Sequence, residues 1–417
     1  MNRFGASIVD GRLKLQNLAV PGNDVTRLRP LFGSERLPMS SHDLPPARVP
    51  LMTRRNRTVV SRISEASLDR GRGKMLHRRT FSAGASAALL AAAAGRLAIA
   101  ASSDAADFYR GKTVRILVGS PPGGGYDVYA RLIRPYLATR IGATVLVENR
   151  DGQGGLAALA TLMVRPADGL TIMHASAEAA ILSQILARPG VTWDVTKLNW
   201  LAKTSMAPKL WYVGDHARYP TIRDAVSAEL LRWSSTGPAD NISDVAAIIS
   251  YVLALKSKIV VGYRGAGDMW LAVLRNEVDT GILSADTALP QIMNNSIKPI
   301  AIFSASRWHH LPAVPTLREA AALPEDKMWI VELRQRIGEA QRAMVAAPNV
   351  PADRVEFLRE AFTEVLADPA LIAVGAKSNR EIEYMGGWEL QHLIAELMTS
   401  AGPRLPEFRR IVLESYF

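Results

Sequence analysis

From Val114 onward, short runs of aliphatic and β-branched residues alternate with longer stretches whose apolar positions recur every three to four residues. Val114–Gly119 reads as a buried strand and Val128–Arg140 as an amphipathic helix. Thr144–Glu148 and Leu156–Arg165 repeat that pair, and Thr171–His174 supplies a third strand. Such alternation predicts βαβ units around a parallel sheet. Two strand-like stretches then flank a polar turn within Leu198–Val213, and Tyr219-Pro220-Thr221 opens a new helix. The alternation restarts with strands over Leu231–Ser235, Ile259–Tyr263, Thr280–Leu283 and Pro299–Phe303. Helices over Ser243–Ala254, Gly267–Glu277 and Thr287–Met293 separate them. Beyond Leu311-Pro312-Ala313-Val314-Pro315 the chain is mainly helical, notably over Ala352–Ala367 and Trp388–Ser400. The segment Met344–Ala347 fits a late strand completing the first sheet. The pattern predicts two α/β lobes, and no internal repeat is visible.

The first quarter of the chain lacks this periodicity. Residues 1–74 are rich in Arg, Ser and Pro, which predicts a disordered or untranslated leader. From Met75 the chain reads Met75-Leu76-His77-Arg78-Arg79-Thr80-Phe81, then a small-residue apolar run from Ser82 to Gly95. Ala98-Ile99-Ala100 follows as an A-x-A cleavage site, so residues 75–100 read as an export signal. The Arg78-Arg79-x-Phe81 pattern fits either an ordinary secretory signal or a twin-arginine one. An Ala-rich N-terminal helix fits the ordered layout less well. The apolar run is too short and too rich in alanine for a membrane span.

Charge follows the same division. The 417 residues carry a formal +11, which first suggests nucleic acid or an anionic membrane as partner. Residues 1–100 hold 17 basic and 6 acidic side chains, so residues 101–417 balance at 33 of each. The exported product of roughly 317 residues is therefore neutral, and nucleic-acid binding is excluded. The absence of cysteine excludes a disulfide scaffold, a thiolate zinc site and a thiol nucleophile.

The candidate chemistry lies in glycine-rich turns after strands. Ser120-Pro121-Pro122-Gly123-Gly124-Gly125-Tyr126-Asp127 joins the first strand to its helix. Glycines there leave backbone N–H groups uncovered at a helix start, which suits an anion. The plain alternative is a tight turn with Asp127 as cap. No Gly-Lys-[Ser/Thr] follows, so it is no P-loop. Gly152-Gln153-Gly154-Gly155-Leu156-Ala157 matches G-x-G-x-x-A but follows the second strand, which argues against a dinucleotide. Ser234-Ser235-Thr236-Gly237-Pro238-Ala239-Asp240-Asn241 ends a strand of the second lobe, with Asn241 or Ser243 as expected cap. Ala175-Ser176-Ala177 and Arg264-Gly265-Ala266-Gly267 are similar helix starts. Open α/β sheets bind ligands at such strand ends.

Catalytic arrangements are poor. There is no G-x-S-x-G, His-Glu-x-x-His or EF-hand loop. His309 and His310 are adjacent, which predicts side chains pointing apart on the surface. His174 stands near Ser176 without an orienting acid. Asp286 ends a second-lobe strand, facing the cleft or capping a helix. The eight tryptophans read as core residues.

Together VRILVGSPPGGGYDVYAR, VLVENRDGQGG, ADGLTIMHAS, WSSTG, VGYRGAGD, LPAVPTLREA and AAPNVPADRVEFLREAF resemble the periplasmic solute receptors of tripartite tricarboxylate transporters, the Bug-type receptors. The resemblance runs from about Phe108 to Met398. It implies a two-lobed periplasmic binding protein of type II-like form, each lobe a mostly parallel sheet flanked by helices, with a hinge between. The implied divisions are 101–208 for the first part of lobe 1, 209–303 for lobe 2, and 304–417 for the hinge return and the C-terminal part of lobe 1. It further implies a monomeric, non-catalytic receptor without cofactor or metal, which closes over a small carboxylate and delivers it to integral-membrane permease subunits. The implied ligand-binding residues are Ser120, Gly123, Gly124, Gly125, Asp127, Ala175, Ser176, Thr236, Gly237, Tyr263, Arg264, Gly265 and Asp286. Arg264 is the one cation expected beside the ligand.

Two departures bear on the ligand. Where the family has a longer small-residue loop with a His, this chain carries Asp240 and Asp244, which repel a dianion or favour an amine-bearing or neutral ligand. The segment from Trp329 to Ala347 is longer and more charged than usual. The rival readings are a ligand-sensing co-receptor for a signalling kinase and an enzyme on the same fold.

Overall fold

The computed structural model describes residues 104–238, 240–399 and 402–417. As a separate unit it describes two three-residue strands, Ser7–Val9 and Arg12–Lys14, paired antiparallel. The remainder of the expected leader, and the expected export signal over residues 75–100, lie outside the described residues.

In the first lobe β1 (Thr113–Val118) leads through α1 (Gly125–Ile141) to β2 (Thr144–Asn149). Then α2 (Leu156–Val164) carries the chain back across β1 to β3 (Thr171–Ser176), which is followed by α3 (Ala177–Ile185) and β4 (Asn199–Ser205). Three residues later the chain enters a second sheet at β5 (Lys209–Gly214). There α4 (Ile222–Val226) leads to β6 (Leu231–Ser234), α5 (Ser243–Val252) to β7 (Ser257–Val260), and α6 (Ala266–Leu274) to β8 (Thr280–Ser284). After α7 (Ala285–Met293), β9 (Ile297–Phe303) leaves this sheet. The return passes α8 (Leu317–Ala320) and α9 (Met328–Gly338) and re-enters the first sheet at β10 (Arg342–Ala346). The chain ends with α10 (Ala352–Leu366), α11 (Pro369–Lys377), β11 (Met385–Gly386), α12 (Gly387–Thr399) and α13 (Leu405–Leu413).

The fold is the two-lobed α/β architecture, with mixed instead of mostly parallel sheets. Their strand orders are β11-β4-β10-β3-β1-β2 and β9-β5-β8-β6-β7. Pairing is parallel within β1–β3 and within β6–β8, and antiparallel elsewhere in the two sheets. The cause is the path between lobes. The strands β5 and β10 enter their sheets from the side facing the other lobe, so each runs against its β8 or β3 neighbour. Their first residues, Lys209 and Arg342, are thereby set beside the C-terminal ends of the parallel strands.

Local chemistry accounts for the element ends. Gly142 closes α1 in the left-handed region (φ 63°), its N–H donating to Ala138. Thr221 and Asp224 form a reciprocal capping box at α4. The six residues of β3 are all buried because the strand lies between β1 and β10 with helices over it. One hydrophobic core runs from the first lobe through α9 into α5 and β6, and a smaller one lies between β5, α6, α7 and Trp308. The C-terminal segment reaches the second sheet, where Ile259 N–H donates to the Tyr416 carbonyl at 2.6 Å. Among the described residues no helix is long and apolar enough to cross a membrane.

Candidate functional site

In each sheet the second parallel strand lies on one side of the first and the third on the other. Loops after the first and third strands therefore diverge and leave a crevice, the usual ligand position of open α/β sheets. Both crevices open into one cavity of about 680 Å³ between the lobes. The loop after β1, Ser176 at the end of β3, Thr236 after β6 and Ser284 at the end of β8 all line it. The lobes come close around it: a Cβ on Gly265 would stand 3.5 Å from the Pro121 ring, and one on Gly125 2.9 Å from Thr287 Oγ1.

The glycine-rich loop is braced from inside the first lobe. The Asp127 carboxylate accepts from Gly123 N–H, from Arg131 and from the Asn149 amide, all at 2.9 Å. Burial opposes its charge, but these donors hold its carboxyl below the ordinary range. The same Asn149 amide donates to the Ser120 carbonyl at 2.8 Å. Gly124 N–H donates to the Pro121 carbonyl at 3.0 Å. Two of the expected anion donors, Gly123 and Gly124, are thus engaged within the loop. The uncovered donors lie one residue on, at the first-turn N–H groups of Gly125 and Tyr126. A tight turn accounts for the dinucleotide-like pattern, since Gly152 (φ 129°) and Gly154 (φ 65°) are both left-handed, and beside it a Cβ on Gly119 would clash with the Cα of Gly155.

Arg342 stands at the cavity wall, 2% exposed. It makes a two-pronged pair with Asp286 (2.9 and 3.1 Å) and lies over the rings of Tyr126 (5.4 Å) and Tyr129 (5.1 Å). Arg380 also donates to the Asp286 carbonyl and stands 3.6 Å from its carboxylate. Burial disfavours the Asp286 anion, but Arg342 and Arg380 together hold its pKa below the ordinary value. His174 is buried behind the loop, its Nδ1 2.9 Å from the Tyr126 carbonyl and its Nε2 2.9 Å from Thr204 Oγ1. A carbonyl only accepts, so Nδ1 carries the proton. Burial pushes this imidazole down to about 4 and keeps it neutral.

A second buried ionic group lies nearby, within electrostatic reach of Arg342. Glu178 accepts from Lys209 Nζ at 2.9 Å and from Arg334 at 2.5 Å, and Arg334 also pairs with Asp244. Asp240, 7% exposed, adjoins this group and lines the cavity. Thr236 Oγ1 donates to it at 2.5 Å. With the Asn241 amide oxygen turned to Lys209 and Ser176, its nitrogen donates to Asp240 at 2.8 Å. Burial, opposed by Thr236 and reinforced by Asp244, pushes Asp240 up to about 6.

Of the residues expected at the site, Ser120, Gly123, Gly124, Gly125, Ser176, Thr236, Tyr263, Arg264 and Gly265 line the cavity. Asp127 stands behind the loop, Ala175 is buried within β3, and Gly237 is held by Ser235 and Ser243. Asp286 neither caps α7, which begins after Ser284, nor lines the cavity. Arg264 is not the only cation there: it is exposed and tied to Asp268 at 2.8 Å, whereas Arg342 and Arg380 are buried at the wall. Neither Asn241 nor Ser243 caps α5. Its N-cap is Ile242, and Ser243 Oγ donates to the carbonyls of Gly237 and Asp240. His309 and His310 do not point apart, because both Nε2 atoms converge on Glu381 Oε1 (2.7 and 2.9 Å). Trp270 lines the cavity, Trp388 is exposed beneath Arg359, and Trp193, Trp200, Trp211, Trp233 and Trp308 are buried.

Comparison with known proteins agrees with this geometry. The model of the tripartite tricarboxylate transporter family receptor matches residues 129–407. Protein BugT of Bordetella pertussis is 26% identical over 287 residues, covering 63% of this chain and 85% of that protein. MatC from Rhodopseudomonas palustris, solved with bound malate, superposes with a TM-score of 0.59 at 20% identity, over 72% of this chain and 99% of its own. A second R. palustris protein, solved with adipate, gives 0.60 at 19% identity, over 72% and 97%.

Proposed function

Because this chain belongs to the tripartite tricarboxylate transporter receptor family, whose members are solute-binding receptors and not enzymes, we propose that it binds a small carboxylate in the interlobe cavity and delivers it to membrane permease subunits. In this reading it works as a periplasmic monomer, exported by the signal over residues 75–100. Its hinge lies where the chain changes sheet, at residues 206–208 and 304–341. The ligand carboxylate lies against Gly125 and Tyr126 N–H, Ser120 and Arg342, with Ser176, Thr236, Tyr263 and Gly265 completing the wall.

One observation carries the proposal. Four strand-end loops converge on a cavity of ligand size, and its wall holds a buried Ser120 Oγ and Arg342 Nε without hydrogen-bond partners. Buried donors without partners are uncommon, and an anion satisfies both. A helix N-terminus adds about 0.3–1 kcal/mol of attraction, and more in a partly buried site. The malate and adipate bound by structural neighbours are carboxylates of fitting size.

Calorimetry of the purified, folded protein against a panel of mono-, di- and tricarboxylates and amino acids tests it. Saturable heat with at least one carboxylate-bearing solute is expected. Absence of heat across the panel, with the fold intact by circular dichroism, overturns the reading.

A further inference from the structure

The buried charges around the cavity do not balance within each group. Beside the glycine-rich loop, Arg342 and Arg380 face one acid, Asp286, which leaves a single positive charge. In the second group Glu178, Lys209, Arg334 and Asp244 balance one another, and Asp240, which lines the cavity beside them, is the surplus anion. Among the described residues Asp240 makes no ion pair: Lys209 attracts it from further off but is committed to Glu178. Its partners are the Thr236 hydroxyl and the Asn241 amide. A carboxylate buried against a binding cavity without an ion-pair partner is costly unless something in the cavity supplies a cation. The two groups are neutral in sum, with a surplus cation in one and a surplus anion in the other.

We propose that the solute is zwitterionic, an amino acid whose carboxylate meets Arg342 and the first turn of α1 and whose ammonium group meets Asp240. This rests on the receptor reading above and names its substrate class. A simple dicarboxylate would set a second anion against Asp240, where like charges at close range oppose binding. An ammonium supplies the missing cation, and its three donors reach Asp240, with Thr236 and Ser176 alongside on the same wall. The apolar part of the solute then faces Met173, Ile242, Trp270 and Leu283.

The test uses matched pairs that differ only by the α-ammonium: L-glutamate and glutarate, L-aspartate and succinate, L-leucine and 4-methylpentanoate. Calorimetry at pH 7.5 on the wild-type protein is expected to show tighter binding of the amino acid, by tenfold or more, in each pair that binds. Asp240→Asn is expected to remove that difference. Affinity for the amino acid is further expected to fall below about pH 6, where Asp240 protonates while Glu178, Lys209, Asp244 and Arg334 remain mutually paired. Equal or tighter binding of the des-amino acid overturns the zwitterion assignment and leaves the carboxylate reading standing. No heat with any of the six overturns the assignment too, and whether the reading also falls is decided by the wider carboxylate panel. The wild-type comparison decides even where the variant fails to fold.

Discussion

His174 shows what burial does to a single titratable group in this chain. Its folded pKa of about 4 lies below the unfolded value near 6.5. Between those values the unfolded chain takes up a proton that the folded chain refuses, so stability falls as pH drops from about 6.5 to about 4. The shift corresponds to roughly 3 kcal/mol once both values are passed. Asp240 acts in the opposite sense over about pH 4–6, because its folded pKa is raised. Comparing wild type with His174→Gln cancels that common term. The amide keeps a donor for the Tyr126 carbonyl and an acceptor for Thr204, so the variant's urea midpoint is expected to lose less on going from pH 7 to pH 4.5. Parallel pH profiles would refute the assignment of this loss to His174. At this scale the sequence was partly readable. Ser120, Ser176 and Thr236 stood out as hydroxyls at helix starts, and they line the cavity. Arg342 did not, because a lone arginine opening an apolar strand carries no local sign of what faces it. Arg264 drew attention as a cation in a glycine-rich loop, but an acid four residues on takes its charge.

The loop after β1 shows how an element becomes a site. Asp127 occupies the third position of α1 and reaches back past the N-cap Gly124 to Gly123 N–H, one residue further than in a capping box. Through Asn149 it also fixes the Ser120 carbonyl, so one carboxylate sets the path of the whole loop. Asp127→Ala leaves these donors without their acceptor and is expected to cost about 1–2 kcal/mol of stability, as losses of N-terminal caps do. Ligand affinity is expected to fall about tenfold, since donors held in place bind without a further ordering cost. Urea titration and calorimetry on the same preparation check both numbers. Full affinity in a destabilised variant would show that the brace serves the fold alone. The βα alternation, the glycine loops and even the late strand at Arg342–Ala346 were legible from periodicity. Strand direction was not, because a period of two says nothing about which neighbour a strand pairs with or from which lobe it enters. The G-x-G-x-x-A pattern misleads for a related reason: a tight turn through left-handed Gly152 and Gly154 requires the same glycines as a turn around a pyrophosphate.

At the scale of the molecule, the two lobes are tied by the same device used twice. Lys209 and Arg342 are the first residues of the strands that enter each sheet, and Glu178 and Asp286 are the second residues of the helices after β3 and β8. Each entering cation pairs with the acid of the opposite lobe, and each acid takes a second cation, Arg334 or Arg380. The pairs are buried, so their worth lies less in net attraction than in the cost of leaving one charge alone. Arg334 lies in α9, on the return between the lobes, and it also holds Asp244. Arg334→Met is therefore expected to cost about 3–5 kcal/mol, because two buried carboxylates then share only Lys209. Adding Asp244→Asn removes the uncompensated acid while Glu178 keeps Lys209, and the double variant is expected to recover most of the loss. Urea unfolding of wild type, both single variants and the double closes a cycle that isolates the pair. If the double variant is as unstable as Arg334→Met alone, the loss comes from packing of the arginine stem in α9, and the charge argument fails. If it recovers, the balance of buried charges between the lobes is itself a determinant of the fold, and the unpaired Asp240 beside it is left for the solute to complete.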